Sequence, residues 1–318
     1  MKKTKITFLI IAAIAILSCF GCSEDWLRKN GVIINPADGI CQPLISAINL
    51  NAIKDFEKVV VVDVRSQEEY LEGHVPGSIN IPILMPVSAW IVSDELLMEL
   101  PPVGDLEEML GEAGVSNDSK VVLISGNTVA PQPPYVLANA TRVFATLHYV
   151  GVKNVAILNG GINKWVEEGF ALETEPTELP ATTFVANPKQ NLFVSTEYVE
   201  ASIGSKIIID TRDADVYSGE VIEPWASKAG HIPTAVSMPV VDVWNEDDTF
   251  KSINELKELF KAAVGPGVSK HEEIIIYCGV GGYTSTGYFV IHSLLGYRNV
   301  KFYDGSAQAW VLEHDMEL

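Results

Sequence analysis

The chain has 318 residues, 47% of them hydrophobic, and a formal net charge of −19 at pH 7. This length is enough for about two domains with sizeable cores. Because no basic cluster stands in the body of the chain, nucleic acid is excluded as an expected partner, and an anionic substrate would need a locally positive pocket.

The N-terminus has the pattern of an export signal. Lysines precede an apolar segment, 6–17, that is too short to span a bilayer comfortably. The Ser18-Cys19 pair that follows resembles a bacterial lipoprotein site. We therefore predict a signal peptide over 1–18 and lipid on Cys19. The protein would then be an exported, membrane-anchored lipoprotein of the periplasm or cell envelope. Cys22 is the alternative lipidation site, and a plain cleaved secretory signal is the alternative to a lipoprotein.

The rest of the chain repeats itself once, with the matching segments in the same order. The matched pairs are 59–65 with 207–212, 73–76 with 230–233, 81–82 with 238–239, 121–125 with 274–278, 151–155 with 296–300, and 159–165 with 304–310. A period of this length is too long for a solenoid, so the repeat predicts two copies of one domain.

Each copy alternates short β-branched runs with helical patterns, which is typical of a parallel sheet covered on both faces. The predicted fold is α/β, with two tandem domains, each a parallel β-sheet flanked by helices on both faces. We place domain 1 at 44–172 and domain 2 at 195–318. Residues 19–43 form a tether, and 173–194, which begins with a proline-rich stretch, forms the linker. A helical pattern over 284–295 follows the last long apolar run.

Cys278 is the main candidate for chemistry. It ends the apolar run 274–277, and glycines occupy three of the next four positions before the helical pattern begins. Such a loop can aim N–H groups inward at the positive end of a helix dipole, which lowers a thiol pKa and makes a nucleophile available. The alternative is a buried cysteine before an ordinary turn. The sequence also leaves a disulfide between Cys278 and Cys41 as an alternative. Ser125 holds the same position in the first copy, without such a loop.

The Asp-x-Arg and Gly-His-Val-Pro-Gly-Ser-Ile-Asn-Ile-Pro motifs within 63–82, and the Cys278 loop with Asp304-Gly305 and Trp310 after it, resemble the two signatures of the rhodanese superfamily. The likeness covers nearly all of the chain after about residue 44. The chain is similar to the tandem-domain thiosulfate and 3-mercaptopyruvate sulfurtransferases, in which the C-terminal domain alone carries the cysteine.

The resemblance implies that Cys278 accepts sulfur from a small anionic donor, thiosulfate or 3-mercaptopyruvate, as a persulfide. The sulfur then passes to cyanide or a thiol, without a metal or organic cofactor. Backbone N–H groups of the loop would hold the anionic outer sulfur. The loop consists of Gly279, Val280, Gly281, Gly282, Tyr283 and Thr284.

The loop departs from the sulfurtransferase pattern at two of its positions. Val280 replaces a serine of the mercaptopyruvate enzymes, so a relay from that serine to His74 and Asp63 lacks its hydroxyl. Gly282-Tyr283 stands where many bacterial members have Trp-Arg. Thr284 stands six positions after Cys278, where rhodanese-fold phosphatases carry their phosphate-clamping arginine, which argues against phosphoryl transfer.

Supporting residues are inferred from the same resemblance. Asp210 and Arg212 are expected to form a structural ion pair, with a substrate role as the alternative. His231 is expected to fix a turn, and Asp63, Arg65 and His74 are the counterparts of these residues in domain 1. The insertion 219–229, with Trp225 and Lys228, could overhang the pocket. The alternative function is a persulfide carrier or redox-sensing module with little turnover.

Overall fold

The computed structural model describes residues 34–35, 39–40, 42–84, 88–130 and 132–318. The predicted signal peptide, Cys19, Cys22, Cys41 and most of the tether lie outside the described residues, so export and lipid attachment stay predictions. Within the part of the chain that is described, no helix has the length and apolar character needed to cross a membrane.

The first half of the chain forms a parallel five-stranded sheet in the order β3-β7-β6-β4-β5. A short antiparallel pair, β1 with β2, precedes it. The strands are β1 (Ile34–Asn35), β2 (Gly39–Ile40), β3 (Leu44–Ile45), β4 (Val59–Asp63), β5 (Ile79–Asn80), β6 (Lys120–Ile124) and β7 (Asn154–Leu158). The helices are α1 (Ala47–Ile53), α2 (Gln67–Glu72), α3 (Val103–Glu112), α4 (Tyr135–Tyr149) and α5 (Gly161–Glu167).

The second half forms a parallel four-stranded sheet in the order β11-β10-β8-β9. The strands are β8 (Ile207–Asp210), β9 (Val236–Ser237), β10 (Glu273–Tyr277) and β11 (Asn299–Phe302). The helices are α6 (Thr196–Ser202), α7 (Ala214–Ser218), α8 (Ile253–Val264), α9 (Gly282–Tyr288) and α10 (Ser306–Glu313), with a 3-10 turn at Val240–Val243 and a π-helical segment at Phe289–Leu294. The predicted α/β fold with two parallel sheets is confirmed.

Burial on both faces explains why the strands are continuous apolar runs. In β10, Ile274 and Ile276 enter one apolar cluster, and Ile275 enters another on the opposite face. In β4, Val60 enters one apolar cluster and Val61 enters the cluster on the opposite face. Successive side chains of a strand point to opposite faces, so a strand covered on both sides must be apolar throughout.

One apolar cluster runs through both halves of the molecule and joins the inner faces of the two sheets. Helix α4 lies against α9 at its centre. Thr141 Oγ1 lies 2.8 Å from Ser285 Oγ, and the rings of Phe144 and Phe289 meet edge to face at 4.8 Å. The two domains therefore share a packed, largely apolar interface, which fixes their relative position.

The interface ends in two half-buried histidines. The rings of His148 and His292 lie 4.8 Å apart, and Tyr288 Oη is 2.6 Å from His148 Nδ1. Burial, and then the nearby charge of Lys189, lowers the pKa of His148 to about 3 and that of His292 to about 4. Both rings are therefore neutral at pH 7, and the interface carries no histidine charge there.

The helical pattern predicted over 284–295 differs in detail from the structure. The α-helix begins at Gly282, and after Tyr288 the chain continues with the wider π-helical turns. The N–H of Leu295 donates to the carbonyl of Val290 at 2.8 Å, five residues back. Periodicity in the sequence cannot separate these windings, because an inserted residue shifts the apolar face by only part of a turn.

Candidate active site

Cys278 is placed by the end of β10. The strand stops at Tyr277, and the chain turns through 279–281 before α9 begins at Gly282. The start of α10 secures this turn, since the N–H of Ala307 donates to the Cys278 carbonyl at 2.9 Å and the N–H of Gln308 donates to the Gly279 carbonyl at 3.1 Å. The backbone around the thiol is thus fixed from the far side of the sheet.

The thiol is free and receives a backbone hydrogen bond. The N–H of Gly281 donates to Cys278 Sγ, with an N···S distance of 3.1 Å. Gly281 adopts φ +94°, in the left-handed region, and this turns its N–H back toward the sulfur. The bond stabilises negative charge on the sulfur, as a loop before a helix N-terminus does for anions in general.

Cys278 is only 3% exposed, but it lines a cavity of about 280 Å³ between the two domains. The walls come from both halves of the chain. Domain 1 supplies Leu97, Met98, Tyr135, Ala138 and Asn139, and domain 2 supplies Glu223, Trp225, Cys278, Gly279, Val280, Gly282 and Tyr283. The thiol therefore reaches a small-molecule pocket instead of being sealed in the core.

The insertion 219–229 forms one wall of this cavity through Glu223 and Trp225. These side chains pass so close to Gly279 that a Cβ there would meet Trp225 Nε1 at 2.2 Å and Glu223 Oε2 at 2.7 Å. Lys228 lies elsewhere, because its Nζ donates to the His314 carbonyl at 2.7 Å. Of the two side chains predicted to overhang the pocket, Trp225 lines it and Lys228 does not.

Arg142 of domain 1 lies behind the cysteine loop, fully buried. Its Nη1 is 2.5 Å from Asp304 Oδ1 of domain 2, and its Nη2 donates to the Met98 carbonyl at 2.6 Å. The N–H of Leu100 donates to the same carboxylate at 2.9 Å. This ion pair ties a pocket wall of domain 1 to the chain that supports the thiol.

Sequence reasoning missed Arg142, and one signal could have found it. It is an arginine in the middle of the otherwise apolar and small-residue helix α4. A charge in a helix that is buried on most sides must be paired, so Arg142 required a partner from a distant element. The sequence offers no sign of which one.

The predicted Asp210–Arg212 pair is present and buried. Arg212 Nη2 lies 2.6 Å from Asp210 Oδ2 and donates to the Gly230 carbonyl at 2.7 Å. The domain 1 counterparts repeat this geometry, with Arg65 Nη2 at 2.6 Å from Asp63 Oδ2. Each pair joins the end of a strand to the Gly-His turn, which fits the structural role.

His231 and His74 hold their turns. His231 stacks on Tyr217 at 3.8 Å with its Nδ1 3.0 Å from that residue's carbonyl, and His74 stacks on Tyr70 in the same way. Neither histidine, nor Asp63, is among the residues that line the Cys278 cavity. Thr284 is also buried away from it, with Oγ1 3.4 Å from Ser306 Oγ.

Two adjacent loop glycines predict opposite outcomes on substitution. At Gly281 a Cβ would lie 3.0 Å from Asp304 Oδ1 and 3.1 Å from Arg142 Nη1, and its φ is positive. At Gly282 the nearest atoms are the flexible end of Met98 at 3.7 Å. We expect Gly281→Ala to cost about 1–3 kcal/mol of stability and to lower the reactivity of the thiol, and Gly282→Ala to be nearly neutral. Thermal unfolding and the rate of thiol alkylation measure both, and equal effects would contradict this account of the loop.

Comparison with known proteins decides the family. The model of the rhodanese-like domain matches residues 46–168 and again 195–313. The chain belongs to the rhodanese-like family. A protein of Mycobacterium leprae named "Putative thiosulfate sulfurtransferase" is 32% identical over 273 residues, which cover 83% of this chain and 92% of the relative.

Solved rhodanese-like structures agree with this assignment. The 3-mercaptopyruvate sulfurtransferase SseA from Escherichia coli has a TM-score of 0.69 and 27% identity, and the match covers 83% of this chain and 98% of that one. The anaerobic ergothioneine biosynthesis enzyme from Chlorobium limicola, at TM-score 0.74 and 21% identity, matches 93% of this chain and 75% of its own and shares the fold. The rhodanese-like chain described here is a sulfurtransferase.

Proposed function

We propose that this sulfurtransferase moves a sulfane sulfur from thiosulfate or 3-mercaptopyruvate to cyanide or a thiol through a persulfide on Cys278. One observation carries the proposal, namely a free cysteine whose sulfur receives the Gly281 N–H at 3.1 Å and lines a cavity between the two domains. Sulfur transfer needs a thiol that can ionise and a cavity that admits the donor, and both support the proposal.

The first half-reaction is a displacement at sulfur. The Cys278 thiolate attacks the outer sulfur of thiosulfate, the new S–S bond forms as the old one breaks, and sulfite leaves with the electron pair. In the second half-reaction an acceptor attacks the outer sulfur of the persulfide, and the thiolate is released. The two steps alternate at one thiol, so the kinetics should be ping-pong.

A second function, a persulfide carrier or redox sensor with little turnover, is favoured by the altered loop. Val280 and Tyr283 both line the cavity, where the resemblance places a hydroxyl and a cation in relatives. Neither side chain can act as a charged clamp for a donor. A carrier would load sulfur and then hold it.

Mass spectrometry after exposure to thiosulfate tests the proposal. The peptide that contains Cys278 should gain one sulfur atom, and cyanide should then remove it with formation of thiocyanate over many cycles. A single loading followed by slow release would favour the carrier. No added sulfur with either thiosulfate or 3-mercaptopyruvate would refute sulfur transfer from these donors.

A further inference from the structure

The Cys278 cavity has aromatic walls, and Glu223 is the acidic side chain among the described residues that line it. The rings of Tyr135 and Tyr283 lie 5.2 Å apart, and Trp225 and Met98 line the cavity with them. No lysine, arginine or histidine is among the described residues of the lining. The faces of aromatic rings carry partial negative charge, so these walls and the Glu223 carboxylate both favour a positively charged ligand.

The charge of Glu223 is incompletely balanced. Burial raises the pKa of this carboxyl, and the Arg212 guanidinium opposes the effect. The arginine forms its shorter ion pair with Asp210, at 2.6 Å, and a longer one with Glu223 Oε2, at 3.5 Å. Trp225 Nε1 lies close to this carboxylate and lowers its pKa. The geometry is too poor for a hydrogen bond between them.

Asp213 adds negative charge near the two tyrosines of the cavity. Burial, followed by the charges of Asp213, Glu223 and Cys278, raises the pKa of Tyr135. The charges of Asp213, Cys278 and Glu223 also act on Tyr283, whose pKa is raised chiefly by burial. A dianion such as thiosulfate therefore enters against the local field as well as against the net charge of the chain.

Two donors within this cavity lack partners. Among the described residues, Tyr283 Oη and Trp225 Nε1 are buried and make no hydrogen bond, and the Tyr283 side chain is more than nine-tenths buried. A buried donor without an acceptor costs free energy that a ligand can recover. The cavity thus offers donors for an acceptor atom and a carboxylate with ring faces for a cation.

We infer that the sulfur acceptor of Cys278 is a small thiol that also carries a positively charged nitrogen group. This inference rests on the proposed function and names the acceptor class of the same site. The ammonium group lies against Glu223 and the rings of Tyr135 and Trp225, while the thiolate receives the hydroxyl hydrogen of Tyr283. The volume of about 280 Å³ suits a molecule of this size.

The transfer step balances without a further reagent. The proton of the acceptor thiol moves to the outer sulfur of the persulfide anion. The acceptor thiolate then forms a bond to that sulfur, and the bond from it to Cys278 Sγ breaks. The electron pair leaves on Sγ, which becomes the thiolate that Gly281 stabilises at 3.1 Å. The proton stays on the transferred sulfur, and the product is the hydropersulfide of the aminothiol.

Three thiols with the same two-carbon spacer between the sulfur and the end group test the inference. Full-length protein is loaded with sulfur and mixed with cysteamine, 2-mercaptoethanol or 3-mercaptopropionate, and the loss of sulfur from Cys278 is followed by rapid-quench mass spectrometry. We expect cysteamine to react faster than 3-mercaptopropionate. In Glu223→Gln that ratio of rates should fall about tenfold. The intrinsic reactivity of each thiol cancels when the ratio is compared between the two proteins.

A matched control removes a charge from the same insertion. Glu220 is exposed and does not line the cavity, so Glu220→Gln should leave the ratio unchanged. Tyr135, 52% exposed, tolerates replacement without risk to folding, and Tyr135→Leu should also lower the preference for cysteamine. Sulfur loading with an identical ratio in wild type and Glu223→Gln would overturn the inference alone. A protein that never loads sulfur would refute the proposed function, and the inference with it.

Discussion

Replacement of Cys278 by serine is expected to lower sulfur transfer at least about a thousandfold, because a hydroxyl is not ionised at neutral pH and cannot form a persulfide. The change replaces one buried sulfur atom by oxygen and keeps the shape of the loop, so the fold should survive. Release of thiocyanate from thiosulfate and cyanide measures the rate, and circular dichroism on heating checks the fold.

The duplicated fold offers its own control for this experiment. Ser125 follows β6 as Cys278 follows β10 and is also 3% exposed, but it does not line the cavity of Cys278. Ser125→Ala should therefore keep full activity. Full transferase activity in Cys278→Ser would show that another group accepts the sulfur.

Replacement of Arg142 by methionine is expected to reduce the free energy of unfolding by about 3–5 kcal/mol, because it leaves the largely buried carboxylate of Asp304 without its cation. The Met98 carbonyl loses its donor at the same time. Since this arginine joins domain 1 to the support of the cysteine loop, sulfur transfer should fall as well. Denaturant unfolding at pH 7 measures the first effect.

Two further variants separate the ion pair from a general loss of charge. Arg298 is exposed, so Arg298→Met should change stability by less than about 0.5 kcal/mol. The double variant Arg142→Met with Asp304→Asn removes both charges and should be more stable than the sum of the single changes predicts. Equal losses in Arg142→Met and Arg298→Met would contradict the role given to the interdomain pair.

The residue types that are consecutive around Cys278 were enough to predict the loop. What they could not predict depends on packing between residues that are distant in sequence. An apolar run, a cysteine and three glycines are consecutive in the sequence, and a strand, a tight turn and a helix follow from these residue types alone. The repeat then extended the α/β prediction to both halves. The asymmetry between Ser125 and Cys278 was visible in the same comparison.

The domain 1 wall of the cavity could not be predicted in this way. Arg142 and Asp304 are 162 residues apart in sequence, and nothing in the periodicity of α4 indicates which face meets the other domain. Met98 and Tyr135 reach the thiol only because the two sheets share one apolar core. Such contacts depend on how whole domains dock, and a single sequence does not contain that information in local form.

The insertion 219–229 was identified by comparing the two copies, but the comparison could not assign its side chains. Trp225 faces the cavity and Lys228 faces the C-terminal segment, although the two residues are close in sequence. Glu223 drew no attention in the sequence, because a glutamate in a surface insertion is usually solvated. Its position against the cysteine loop, which the structure alone reveals, is the basis of the inference about the acceptor.

The division of the cavity between the two copies of the domain separates the reactivity of the thiol from part of the selectivity of the cavity. The thiol and the amides that stabilise it belong to one copy, whereas Leu97, Met98, Tyr135 and Asn139 belong to the other. Changes at these four side chains can therefore alter which molecules the cavity accepts without touching the hydrogen bond that stabilises the sulfur. The duplicated fold thus lets part of its selectivity vary separately from its reactivity.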